Sequence, residues 1–87
     1  MKARRDIKVT TYDVDKGFKV EVVEDKELFE AWLYEPSYGV KMLMFGVPKW
    51  QCDRKRFVSM VKANYPSYIE TYAEQYMDYN DMAAVLG

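Results

Sequence analysis

The chain has 87 residues, of which 49% are hydrophobic and 16% aromatic, with 13 basic side chains, 14 acidic side chains and no histidine. We expect one domain, residues 1–87, because a chain this short buries too little surface for two stable cores. The apolar content excludes intrinsic disorder. The lack of histidine excludes Ser-His-Asp and Cys-His nucleophile systems and the common Cys/His zinc sites.

The cysteine count and the apolar runs indicate the cellular setting. Cys52 is the single cysteine, so no internal disulfide can form. No apolar segment of the signal-peptide kind follows the basic start of the chain. We therefore expect a cytoplasmic protein. The longest apolar run, residues 42–48, is far shorter than the roughly 20 residues of a membrane-spanning helix, so we expect no membrane contact.

The formal charge of −1 conceals a strongly uneven distribution. The net charge is +3 in residues 1–5, −5 in residues 6–35, +5 in residues 36–62 and −4 in residues 63–87. Charge blocks of this kind affect the choice of partner and the association rate more than they affect the fold.

In chain order, the first half of the sequence predicts strands. Apolar and polar residues alternate over residues 7–12 and again over residues 18–22, as in half-buried strands. The intervening residues 13–17 are typical of a tight turn, and Gly17 can supply the positive φ that such a turn requires. The two segments therefore predict a β-hairpin.

The next segment, residues 24–35, fits two structures. Asp25 is a suitable cap for a helix whose apolar face would be Leu28, Ala31 and Trp32. As a strand, the same residues divide into two alternating faces and end in a turn at residues 35–39. We favour the strand, because residues 40–47 then follow at hairpin distance as an antiparallel partner.

The second half of the sequence predicts two helices. Asp53 is typical of a helix N-cap, and apolar residues at helical spacing follow it as far as Asn64. Pro66 favours an interruption, because the residue before a proline is biased away from the helical conformation. Ser67 and Glu70 form a capping-box pattern, so we predict that the second helix begins at Pro66 or Ser67.

Together these elements predict an α+β fold. It consists of an antiparallel β-meander of about four strands, followed by two C-terminal α-helices packed on one sheet face as a second layer. The opposite sheet face should be partly open. We expect residues 1–5 to form a flexible basic arm and residues 82–87 to form a frayed tail.

The sequence contains no catalytic or cofactor signature. Cys52 lies among four basic residues just before a predicted helix and is a conceivable nucleophile, but an ordinary small residue at a loop-to-helix junction explains it more simply. None of the four glycines is spaced as in a phosphate-binding or dinucleotide-binding loop. We therefore expect no catalytic residues, no cofactor, no metal site and no enzymatic activity.

Four tyrosines at helical spacing are the most distinctive feature of the chain. They fit either the rim of a core, with rings inside and hydroxyls at the edge, or a protein-binding face. Three acidic residues at i, i+4 and i+8 run beside them without basic neighbours, which mildly destabilises an isolated helix. The candidate protein interface therefore comprises Tyr68, Tyr72, Tyr76, Tyr79, Glu70, Glu74 and Asp78.

A basic segment before the first helix is the alternative candidate site. Its cations could bind phosphate while its tryptophan stacks on a base. The cluster is small and the sequence pI is about 5.4, which argues against nucleic acid as the main partner. The residues of this patch are Lys49, Trp50, Arg54, Lys55 and Arg56.

These observations favour a small protein-binding domain of the accessory, adaptor or inhibitor type without chemistry of its own. Homodimerisation is a natural form of this hypothesis, because the +5 and −4 segments could pair across a two-fold axis. Nucleic-acid binding through residues 49–56 and the basic arm is the alternative. An enzyme built on Cys52 ranks third.

Overall fold

Four consecutive strands form one antiparallel sheet, and two helices follow them. The structure is a computed structural model and describes residues 7–87. Its elements in chain order are β1 (Lys8–Asp13), β2 (Lys19–Glu24), β3 (Leu28–Tyr34), β4 (Lys41–Pro48), α1 (Arg54–Tyr76) and α2 (Tyr79–Leu86). The strand order is β1-β2-β3-β4. The predicted two-layer α+β architecture is confirmed, whereas the predicted basic arm, residues 1–5, lies outside the described residues.

The two predicted hairpin turns are held by residues with positive φ. Between β1 and β2, Lys16 and Gly17 adopt φ values of 62° and 81° within a short 3₁₀ turn. Between β3 and β4, Gly39 has a φ of 70°. Glycine adopts this conformation without the Cβ clash that other residues meet, so the sequence-based turn predictions were correct.

The ambiguous segment after β2 is a strand, as favoured above. Along β3, Phe29, Ala31 and Leu33 are buried, and the residues between them face the other side of the sheet. Asp25 caps no helix. Its carboxylate accepts hydrogen bonds from the backbone N–H groups of Glu27 and Leu28, at 2.8 and 2.9 Å, and so closes the β2–β3 turn.

The hydrophobic core lies between α1 and one face of the sheet. The Phe57 ring of α1 stacks on Phe29 at 5.1 Å between centroids and meets Phe45 edge-on at 5.4 Å. Asp53 caps α1 as predicted, because its carboxylate accepts from the N–H of Arg56 at 2.8 Å. The buried hydrophobic residues are Phe18, Val20, Val22, Phe29, Ala31, Leu33, Met42, Met44, Phe57, Val61, Ile69, Tyr72 and Ala73.

The predicted helix break at Tyr65–Pro66 was wrong. α1 runs through Pro66 as one helix of 23 residues. Pro66 is exposed, so the carbonyl group that loses its hydrogen bond can face water. Val61 and Ile69 lie one turn or so to either side and are both buried on the sheet, so tertiary packing outweighs the local penalty. Ser67 is not an N-cap, and its hydroxyl donates to the Asn64 carbonyl at 3.1 Å.

The C-terminal segment predicted to fray is part of α2. Asp78 caps this helix by accepting from the N–H of Asp81 at 2.9 Å. The Tyr38 hydroxyl donates to the Asp81 carboxylate, and Lys16 Nζ donates to the Val85 carbonyl, so two turns of the sheet hold α2 in place. Within residues 7–87, neither α1 nor α2 combines the length and the apolar character needed to cross a membrane.

Candidate functional site

The centre of the tyrosine stripe is part of the core. Tyr72 is 0% exposed, and its ring packs edge-on against Phe18 at 5.3 Å between centroids. Its hydroxyl donates to the Val40 carbonyl at 2.7 Å, and burial raises the pKa of this phenol. Substitutions of Tyr72 therefore report on stability before they report on binding.

The other tyrosines lie progressively farther from the core. Tyr65 and Tyr68 are half-buried, and the Tyr68 ring lies 5.9 Å from that of Phe45. Tyr76 is partly exposed, and Tyr79, the first residue of α2, is 77% exposed. Because α1 ends at Tyr76, the four predicted tyrosines do not form one continuous stripe.

The acidic ridge is also divided between elements. Glu70 and Glu74 are exposed on α1, and neither forms an ion pair with a residue in the described part of the chain. Asp78 lies beyond the end of α1 and serves as the N-cap of α2. The i, i+4, i+8 pattern predicted on one helix is therefore two helical acids and one structural cap.

Two of the four cations of the basic patch share one carboxylate. Glu24, at the end of β2, receives Lys49 Nζ at 2.8 Å and Arg54 Nη1 at 2.6 Å. The second guanidinium nitrogen of Arg54 donates to Thr10 Oγ1 at 2.6 Å. The Lys49 hydrogen bond, followed by that of Arg54, lowers the pKa of Glu24. This cluster ties β1, β2 and α1 together.

The remaining patch residues stay accessible. Trp50 is 81% exposed, and Lys55 and Arg56 are exposed on the first turn of α1. A shallow hollow of about 460 Å³ beside Trp50 includes Leu28 and Pro48 in its lining. The predicted patch is thus divided into two cations bound to Glu24 and three residues facing solvent.

The sheet face opposite α1 is not covered by any described element. We call it the open face. It comprises alternate residues of all four strands, Val9, Thr11, Asp13, Lys19, Glu21, Val23, Leu28, Glu30, Trp32, Tyr34, Lys41, Leu43 and Gly46. Val9 and Leu43 are 52% and 47% exposed. Val9 lies on the outer strand β1 opposite Val23, and Leu43 lies on the outer strand β4 opposite the half-buried Trp32.

Two ion pairs account for four of the five charged side chains of the open face, and Glu30 is the fifth. Lys41 Nζ lies 2.9 Å from Glu21 Oε2 and 5.1 Å above the Tyr34 ring centroid. Lys19 pairs with the carboxylate of Asp13. These acidic partners raise the pKa values of both lysines, because they favour the charged ammonium form. The result is a nearly neutral surface that apolar residues cross from β1 to β4.

Sequence reasoning missed both the Glu24 cluster and the apolar character of the open face. The only signal for the cluster was the contrast between an acidic block, residues 6–35, and a basic block, residues 36–62. For the open face, the signal was Leu28, Trp32 and Leu43 at positions that alternate with core residues. Cys52 is free and half-buried.

The described side chains do not form a metal site. Within residues 7–87, no group of three or more carboxylate or thiol side chains converges as metal ligands do. The chain matches no protein-family model, and neither a curated protein nor a solved structure is detectably similar to it.

Proposed function

We propose that this chain is a non-catalytic protein-binding domain of the accessory, adaptor or inhibitor type, and that the open face is its main interface. The observation that carries the proposal is the uncovered sheet face, which an apolar diagonal of Val9, Val23, Trp32 and Leu43 crosses from β1 to β4. Contiguous exposed apolar surface is typical of protein interfaces.

The arrangement of polar groups supports the same proposal. Charges at the centre of an interface are costly to desolvate unless they are paired. On the open face, Glu21 and Lys41 already form such a pair, and Trp32 Nε1 donates to Glu30 Oε1 at 3.4 Å. An apolar partner surface can therefore cover both ion pairs of this face, whereas Glu30, which forms no ion pair among the described residues, needs a cationic or hydrogen-bonding group of the partner opposite it. A second copy of the chain is one form that the partner can take.

A leucine pair on different surfaces provides the test. Leu43 on the open face is 47% exposed, and Leu86 on α2 is 39% exposed, so Leu43→Glu and Leu86→Glu are matched charge insertions. We expect immobilised wild type and Leu86→Glu to retain the same specific protein from a lysate, or to show the same dimer by light scattering. We expect Leu43→Glu to lose it while remaining folded by circular dichroism. Equal retention by all three would contradict the proposed interface.

Nucleic-acid binding is the second candidate, and the exposure of Trp50 beside Lys55 and Arg56 is the observation that favours it. Glu24 counts against it, because this carboxylate already binds Lys49 and Arg54. If this alternative is correct, affinity for single-stranded nucleic acid should fall steeply with salt and be lost in Trp50→Ala. Nucleic-acid affinity that is unchanged both at high salt and in Trp50→Ala would contradict this alternative.

The proposal includes a cytoplasmic location, which is supported by the single unpaired thiol of Cys52.

A further inference from the structure

The two outer strands of the sheet differ in how well their edges are protected. β4 carries an extra residue, Met44, at a register shift opposite Ala31 and Trp32, and Pro48 at its end has no N–H. β1 pairs with β2 in unbroken register over its whole length and contains neither proline nor glycine. Protein sheets usually block such an edge. β1 is therefore the strand able to accept a further strand.

The backbone groups at this edge can be identified from two turns. Val14 N–H donates to the Phe18 carbonyl, one step beyond the Asp13–Lys19 pair. Because hydrogen-bonded and non-bonded pairs alternate, the even-numbered residues of β1 bond to β2. On the other side of β2, Asp25 N–H donates to the Leu28 carbonyl, so the odd-numbered residues of β2 bond to β3. The even-numbered residues of β2 therefore bond to β1, in agreement with the first turn.

It follows that the outward backbone groups of β1 belong to its odd-numbered residues. The N–H and C=O groups of Val9, Thr11 and Asp13 point away from β2. No described strand pairs with them. Their spacing is that of a standard ladder, and an incoming strand would meet alternating donors and acceptors along β1.

A groove runs along the helix side of this edge. Two hollows of about 540 and 520 Å³ lie between β1 and α1, and they share Tyr12, Val58 and Lys62, so they are continuous. α1 makes its principal contacts with β3 and β4, which leaves this space above β1. We call it the β1–α1 groove. Its other lining residues are Asp13, Val14, Asp15, Arg54, Lys55, Ser59, Val61 and Tyr65.

The available charge of the groove is positive. Lys55 and Lys62 are exposed, and neither forms an ion pair with any residue from 7 to 87. Of the acids in the groove, Asp13 pairs with Lys19, and Asp15, which interacts with the Tyr65 hydroxyl and raises its pKa, keeps its charge at the Val14 end of the groove. A ligand in the groove would therefore meet two unneutralised ammonium groups beside the apolar surface of Tyr12 and Val58.

We propose that the β1–α1 groove binds an extended acidic peptide segment of a partner protein, which adds to β1 as a fifth strand. Its backbone pairs with Val9, Thr11 and Asp13. Alternate side chains of an added strand face the helix layer, so acidic residues at those positions meet Lys55 and Lys62. Aliphatic residues at the same face meet Tyr12 and Val58. This is one form of the protein-binding function proposed above, through a surface distinct from the open face.

Charge favours a foreign acidic peptide over a second copy of the chain. If two copies joined through antiparallel β1 strands, a two-fold axis perpendicular to the sheet would place both α1 helices on the same side. The Lys55 and Lys62 side chains of the two copies would then face one another across the joint. Like charges brought together in this way disfavour the pairing, whereas an acidic peptide neutralises them.

The test begins with a defined set of probes. An array of synthetic octapeptides carries two glutamates and two valines or isoleucines, in every order, at alternate positions, and threonine elsewhere, so that one face of the strand presents both acidic and aliphatic side chains. A matched array carries lysine in place of each glutamate. We expect members of the glutamate array to bind the full chain and the lysine array not to bind. In NMR titrations with a bound glutamate peptide, the largest amide shifts should fall at Val9, Thr11 and Asp13.

Two kinds of variant separate the backbone and charge contributions. Thr11→Pro removes an outward N–H and obstructs the edge, and proline is tolerated where that N–H faces solvent. Lys55→Glu combined with Lys62→Glu reverses the charge without touching the core. We expect each to weaken binding at least tenfold. If Thr11→Pro fails to fold, the double charge reversal remains decisive.

Several results would overturn the assignment. These are no binding anywhere in the glutamate array, equal binding of the two arrays, or amide shifts confined to the open-face residues of β2, β3 and β4. A dimer by light scattering that Thr11→Pro abolishes would instead assign this edge to a second copy. Leu43→Glu should leave peptide binding unchanged, so failure of the groove and failure of the open-face proposal give different results.

Discussion

The two faces of the sheet are built from the same strands but differ in the burial of their side chains. On β3, Phe29, Ala31 and Leu33 are buried under α1, while Trp32 and Tyr34 on the open face stay half-exposed. On β3 the covered face is purely apolar because α1 excludes water from it. The open face is bounded by water, yet it includes a tryptophan, two leucines and two valines that a solvated sheet face does not need.

The charges of the two faces differ as well. On the open face, Glu21 pairs with Lys41 and Asp13 pairs with Lys19, so Glu30 is its one unpaired charge among the described residues. On the helix side, Glu24 is a single acid between two cations, and other cations of α1 remain unpaired among the described residues. The nearly neutral open face fits a mainly apolar partner surface, and the positive β1–α1 groove fits an acidic segment. One small domain thus offers two chemically different surfaces.

The largest expected effect comes from two leucines on opposite faces. Leu33 is fully buried, so Leu33→Ala should lower the free energy of unfolding by about 2 to 5 kcal/mol through lost contacts and the resulting cavity. Leu43 is half-exposed, so Leu43→Ala should stay within about 0.5 kcal/mol. Urea denaturation followed by circular dichroism measures both. If both variants of a monomeric protein lose a similar free energy of unfolding, the contrast between the covered and open faces is contradicted.

The next effect concerns the helix that covers the first face. Pro66→Ala restores a backbone N–H inside α1 and relieves a steric clash, so it should raise the free energy of unfolding by about 2 kcal/mol. Ser67→Ala, at the neighbouring exposed position, should change it by no more than about 0.5 kcal/mol.

The helix content of the protein distinguishes one continuous α1 from two shorter helices separated at Pro66. With α1 already continuous, Pro66→Ala should leave the far-ultraviolet spectrum of the folded protein nearly unchanged while its denaturation midpoint rises. A clear gain in helicity would show that the chain breaks at Pro66 in solution. In that case the cover would consist of two separate helices.

Local features of the fold were predictable because local physics determines them. Gly17 supplies a positive φ, Asp53 caps α1, and the alternation along β3 survives because both of its neighbours are strands. The passage of α1 through Pro66 was not predictable from local preference. It depends on buried Val61 and Ile69, whose contacts exist only in the folded sheet–helix pair.

The candidate site was less predictable because its decisive contacts join distant residues. Glu24 and Arg54 are 30 residues apart, so the sequence revealed the cations but not their partner. The tyrosine spacing was visible, but its meaning depends on how far each turn of α1 lies from the sheet. That placement puts Tyr72 in the core and leaves Tyr79 in solvent. The half-open sheet face was anticipated, but its apolar residues had been assigned no role.

The smallest effect tests the charges of the two faces with one glutamate from each. Glu24→Gln removes the carboxylate shared by Lys49 and Arg54, and it should cost about 1 kcal/mol at neutral pH. Glu21→Gln removes a single partner, that of Lys41, and should cost a few tenths of a kcal/mol, roughly the lower end of such pairs. Denaturation midpoints of both variants against wild type measure the difference.

The pH dependence of the Glu24 effect follows from its lowered pKa. A carboxyl group that holds its proton less tightly when folded stabilises the fold at pH values above its unfolded pKa, about 4.3. That stabilisation disappears as the pH falls through the lower pKa of the folded state. The difference in free energy of unfolding between wild type and Glu24→Gln should therefore be constant near neutral pH and should disappear in acid. A gap that persists unchanged in strong acid would mean that Glu24 acts through packing and not through its charge. The helix side would then lack the electrostatic anchor that distinguishes it from the open face.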